Sequence, residues 1–90
     1  MPMSQKQIDA PLQPNEAFGQ VVRSLRKEKG LSQEELGFRC DLDRTYISGI
    51  ERGKRNPTIQ SIWFIAEGLD ELPETLLAKT NERIENEKAE

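Results

Sequence analysis

The stretch Ser32-Gln33-Glu34-Glu35-Leu36-Gly37-Phe38-Arg39-Cys40-Asp41-Leu42-Asp43-Arg44-Thr45-Tyr46-Ile47-Ser48-Gly49-Ile50-Glu51-Arg52-Gly53 holds two short helices and the turn between them. Ser32 followed by Glu35 is a capping box, in which each side chain satisfies the other's free backbone amide, so a helix opens there. Leu36 and Cys40 fall on one face of it, and it ends before Asp41-Leu42-Asp43. Asp43 is a strong N-cap for the next helix, which reaches Gly53. At 100° per residue Ile47 and Ile50 point one way, while Thr45, Ser48, Gly49 and Arg52 point the other. Arg44 and Tyr46 sit on the shoulders. The outward face is small, polar and basic, with two isoleucines behind it.

Helical periodicity extends in both directions, and no strand-like alternation interrupts it. Upstream, a first helix is expected over about Asn15 to Lys29, capped by Asn15 and closed by Gly30 in the left-handed conformation. Phe18, Val21, Val22 and Leu25 give it one buried stripe. Downstream, Lys54-Arg55-Asn56-Pro57 reads as a basic loop. Thr58 caps a fourth helix to about Leu69, with Ile59, Ile62, Ile65, Ala66 and Leu69 inward, and Pro73 suits the first turn of a fifth. The expected fold is all-α, five helices in one domain over residues 15–80. Residues 1–14, with three prolines, read as a flexible arm, and residues 81–90 as a charged tail that frays.

Composition narrows the chemistry. The chain has 90 residues, no histidine and one cysteine, Cys40. The commonest general base is therefore missing, no zinc cage can form, and no nucleophile is paired with a base. These absences argue against an enzyme, a metal centre and any cofactor. No apolar run approaches the roughly 20 residues of a membrane span. Met1–Pro14 lacks the apolar centre of a secretory signal, and a lone thiol suits a reducing compartment, so the expected location is the cytoplasm. Cys40 is expected in the core.

The net charge of −3 is unevenly spread. From Arg44 to Asn56 there are four bases (Arg44, Arg52, Lys54, Arg55) and one acid (Glu51), whereas Pro57 to Glu90 holds eight acids and three bases. Binding to phosphate depends on such local potential more than on the total.

Gln33 to Glu51 resembles the helix-turn-helix of the phage-repressor (XRE, or Cro/repressor) family, and the likeness spans roughly Phe18 to Leu77. The matching residues are Leu36, the small Gly37 where the two helices meet, Cys40, Leu42 in the turn, Ile47 and Ile50, and the run Ser48-Gly49-Ile50-Glu51-Arg52-Gly53 followed by Asn56-Pro57. Asp41 stands where the family usually has glycine; aspartate tolerates the left-handed region better than most residues. The run Leu42 to Arg52 is especially similar to controller proteins of restriction–modification systems.

The resemblance implies a phage-repressor-like fold and a regulator that reads double-stranded DNA in the major groove with the helix Arg44 to Arg52. By position, Arg44, Thr45, Ser48 and Gly49 would face base edges, Gly49 through close backbone approach. Gln33, Tyr46, Arg52, Lys54, Arg55 and Asn56 would hold the DNA backbone, Gln33 at the amide end of its helix. Arg26 and Glu51 would form a structural ion pair between the first helix and the reading helix. A homodimer on a two-fold related operator is expected. Trp63 and Phe64 lie off the inward stripe of the fourth helix and, with Leu76 and Leu77, are candidates for its interface. The competing reading is that the first and fifth helices cover Phe64. No small-molecule ligand is expected. The alternative function is an antitoxin or adaptor whose main act is binding a protein partner.

Overall fold

Local signals place five helices along residues 7–89, the part described by the computed structural model, and no strand occurs among them. They are α1 (Pro14–Glu28), α2 (Gln33–Cys40), α3 (Arg44–Glu51), α4 (Ile59–Gly68) and α5 (Pro73–Lys88). The Ser32–Glu35 capping box opens α2, with the Glu35 amide donating to Ser32 Oγ at 2.9 Å and the Ser32 amide to the Glu35 carboxylate at 2.8 Å. Donation from the Ser32 amide, and then from the Ser32 hydroxyl, holds the Glu35 carboxyl below its usual value. Asp43 caps α3 and Thr58 caps α4, the latter accepting from the Ser61 amide at 3.0 Å. Gly30 takes φ +70° after α1, as expected, and Asp41 takes the left-handed turn at φ 58°.

The cap of α1 differs from expectation. Gln13 occupies it, its amide donating to Glu16 Oε1 at 2.9 Å. Asn15 lies inside the helix and sends its Nδ2 to the carbonyl of Gly53 at 2.7 Å. A tertiary acceptor has claimed the side chain that local sequence assigned to a cap. Residues 7–13, read as part of a flexible arm, turn back on the Gln13 side chain, which bonds Ile8 and the Ala10 carbonyl. The rest of that arm, residues 1–6, lies outside the described residues.

One core joins the helices. Val22, Leu36, Ile47, Ile50, Ile65, Leu69 and Leu76 are its largest fully buried side chains, with Phe18, Val21, Leu25 and Cys40 beside them. Leu42 packs against this cluster from the turn. A Cβ at Gly37 would meet the Leu42 carbonyl oxygen at 2.6 Å, so the close crossing of α2 on the turn needs a residue without one. Burial pushes the Cys40 thiol up to about 11.

Three assignments are corrected. Ile59 is 69% exposed although its spacing from Ile62 suggested burial. It is the first residue of α4, and side chains lean toward a helix N-terminus, which carries this one past the packed body. Leu76, a candidate for the dimer interface, is fully buried. Neighbouring helical residues are 100° apart, and the row Leu76, Thr80, Ile84 is the one that turns inward. The tail expected to fray from residue 81 continues as helix to Lys88. Burial of Ile84, worth roughly 1.5–3 kcal/mol, extends the row along α1, and Arg83 adds bonds to Gln20 (3.0 Å) and Ser24 (2.7 Å). No helix among the described residues is long and apolar enough to cross a membrane.

Candidate nucleic-acid interface

Two fully buried isoleucines, Ile47 and Ile50, pin the back of α3 to the core. The opposite face therefore projects. Arg44, Thr45 and Arg52 are exposed there, Ser48 is half-buried, and Lys54, Arg55 and Asn56 are exposed in the loop that follows. Among the described residues Arg44 makes no ion pair.

The only acid of the Arg44–Asn56 run has been turned inward. Glu51 is buried and receives Arg26 Nε at 2.7 Å and Arg26 Nη2 at 3.0 Å. Arg26 Nη1 also donates to the Leu31 carbonyl at 2.7 Å, and Glu51 raises the guanidinium above its ordinary value. The expected ion pair is thus present, and it neutralises the carboxylate beneath a basic surface. Among the described residues, Arg44, Arg52, Lys54 and Arg55 on the projecting face and its loop form no ion pair.

Gln33 joins this network, donating from Nε2 to Glu51 Oε1 at 3.0 Å. An amide nitrogen carries two hydrogens, so this bond orients the side chain and leaves one donor for an anion at the start of α2. Tyr46 is half-buried. Its hydroxyl lies 3.1 Å from Ser61 Oγ, and the Thr58 hydroxyl donates to the same oxygen at 2.9 Å. The Arg55 guanidinium sits over the Tyr46 ring, 5.1 Å from its centroid, a cation–π arrangement that holds the loop on α3.

Gly49 is the correction within the site. It was expected to bring backbone to a base edge, yet it is buried, and a Cβ there would run into the Arg55 side chain. Its carbonyl accepts from the amides of Lys54 (2.8 Å) and Arg55 (3.2 Å). Gly49 is the seat of the basic loop. Two further contacts escaped the sequence reading. Asn15 fastens Gly53 to α1, and the Thr45 hydroxyl donates to the Asp43 carboxylate. Of the four interface candidates, Trp63 (55%), Phe64 (38%) and Leu77 (45%) are exposed, so α1 and α5 leave Phe64 uncovered in part. Phe38 on α2 is 90% exposed, and nothing in the structure explains it.

The arrangement has the geometry of a groove reader: two crossed helices, a tight turn, and a projecting basic second helix. A helix-turn-helix family model matches residues 22–77 of the chain. The protein belongs to the helix-turn-helix family. Among helix-turn-helix relatives it is similar to control protein C.BamHI of Bacillus amyloliquefaciens, 52% identical over 61 residues, which is 67% of this chain and 75% of that protein. It is also similar to the crystal structure of the restriction–modification controller protein C.AhdI from Aeromonas hydrophila, with TM-score 0.68 and 48% identity over 69% of this chain and 94% of that one. A third helix-turn-helix structure, the controller protein C.Esp1396I as a tetramer in complex with its natural 35 base-pair operator, matches with TM-score 0.73 and 39% identity over 79% of this chain and 93% of that one.

Proposed function

We propose that this protein is a sequence-specific, double-stranded DNA-binding transcriptional regulator that acts as the controller of a restriction–modification system in the cytoplasm, by binding and without catalysis. The observation that carries the reading is the inward burial of Glu51 under Arg26, which leaves α3 and its loop with an outward surface of Arg44, Arg52, Lys54 and Arg55. An α-helix with its side chains is about 10–12 Å across, which suits a major groove about 12 Å wide.

Arg44, Thr45 and Ser48 face base edges in this reading. Arginine grips guanine O6 and N7 with two parallel bonds. Arg52, Lys54, Arg55 and Asn56 hold phosphates, as do Gln33 and the edge of Tyr46, and they set register on the duplex without reading it. A homodimer places two copies of α3 on a two-fold related operator, with half-sites roughly 34–36 Å apart. Trp63, Phe64 and Leu77 supply its apolar contact. The operator-bound tetramer of C.Esp1396I supports assembly of more than one copy on DNA.

A gel-shift titration with salt tests the reading. Phosphate neutralisation releases counter-ions, so affinity should fall steeply with rising salt, by about 0.9 logarithmic units of affinity per logarithmic unit of salt for each contact. A flat salt response, or no shift at low ionic strength, would remove DNA as the target.

A further inference from the structure

The loop that follows α3 is held from two sides at a single peptide bond. The Gly53 carbonyl accepts Asn15 Nδ2 from α1 at 2.7 Å, and the Lys54 amide donates to the Gly49 carbonyl of α3 at 2.8 Å. That carbonyl and that amide belong to one peptide unit, which is planar and turns only as a whole. Gly53, at φ +72°, has no Cβ to resist such a turn. Asn15 is the second residue of α1, whose position is set by the Gln13–Glu16 cap and by the buried Phe18, Val21 and Val22. Resting on the reading of Lys54, Arg55 and Asn56 as phosphate-holding residues, we propose that Asn15 is a positioning residue for DNA binding. It fixes the plane of the Gly53–Lys54 peptide, and so presets the direction in which the cations of the loop leave the backbone.

The two bonds restrain opposite ends of that plane. With only the Lys54 amide held, the plane can swing about that bond, and the chain direction at Lys54 swings with it. With both ends held it cannot. The Arg55 amide donates to the same Gly49 carbonyl at 3.2 Å, and its guanidinium lies 5.1 Å from the centre of the Tyr46 ring, so the second cation inherits the setting. A surface already in its bound form gives up less conformational freedom on association, and affinity rises without a new contact. Asn15 acts through the loop and not on the duplex.

Asn15→Ala tests this in a protein that keeps its helix, since alanine is the strongest helix former. The variant should bind a duplex selected from a random pool and an unrelated duplex with the same loss, roughly threefold to tenfold. Its salt slope should remain that of wild type, because the same cations still reach phosphates, whereas a lost phosphate contact lowers the slope by about one unit. Without DNA, hydrogen exchange at the Lys54 and Arg55 amides should quicken while the Leu36 amide of α2 keeps its protection. In a Lys54→Ala, Arg55→Ala background, Asn15→Ala should cost less than about twofold, since little is left to position. An equal loss in both backgrounds, a flattened slope, unchanged affinity or unchanged exchange at the two amides would overturn the proposal while leaving the protein a DNA reader. Failure of the wild type to bind any duplex at low ionic strength would overturn both readings.

Discussion

Arg26 on α1 and Glu51 on α3, 25 residues apart in sequence, form a two-point ion pair in which the Glu51 side chain is only 1% exposed. The pair bonds two of the helices that meet beneath the reading surface, and Gln33 ties the third to the same carboxylate. Removing one partner of such a pair strands the other without solvent. Glu51→Ala is expected to lower unfolding free energy by about 3–5 kcal/mol, read as a shifted midpoint in urea with unchanged slope. A change below about 1 kcal/mol, the range of an exposed pair, would show that the network does not hold α3.

Arg44→Ala should weaken binding to the selected operator by about 1–3 kcal/mol and relax preference at one base pair of each half-site. Competition between operator variants checks it. Equal weakening on every sequence would place Arg44 among the backbone contacts.

Lys54→Ala makes the opposite expectation. It should weaken all duplexes alike and reduce the magnitude of the salt slope by about one unit. An altered base preference in the same titration would contradict a phosphate role for the loop.

Much of this site follows from signals a few residues apart. The Ser32–Glu35 box, the Asp43 cap and the pairing of Ile47 with Ile50 are local patterns, and each gave the element that the structure holds. The face of α3 was legible for the same reason. What escaped depends on partners far along the chain. Asn15 has the chemistry of a cap but finds the Gly53 carbonyl, 38 residues away. Gly49 looks like an opening for backbone approach until the Arg55 stem is laid over it. Leu76 and Leu77 are equally apolar, and only the docking of α5 on α1 and α4 decides which one is covered.

The buried thiol gives a pH expectation. Cys40 is raised from an ordinary 9.0 to about 11 by burial, so the folded protein holds that proton more firmly than the unfolded chain. Its contribution to stability is complete below pH 9 and is lost as pH rises toward 11. Unfolding of wild type and Cys40→Ala measured across that range should converge upward in pH by this term. Parallel profiles would mean the thiol titrates alike in both states.

Phe64→Asp should convert a dimer to a monomer in sedimentation, because a carboxylate would lose solvent on the apolar surface that Phe64 shares with Trp63. Unchanged mass would put the interface elsewhere.

Selection of bound sequences from a random duplex pool bears most directly on α3 as the reading element. The expected product is a pair of two-fold related half-sites whose centres lie about one helical turn apart, with one position blurred when Arg44→Ala replaces wild type. A pool that shows no enrichment at low ionic strength, or the same consensus with and without the Arg44 side chain, would contradict it.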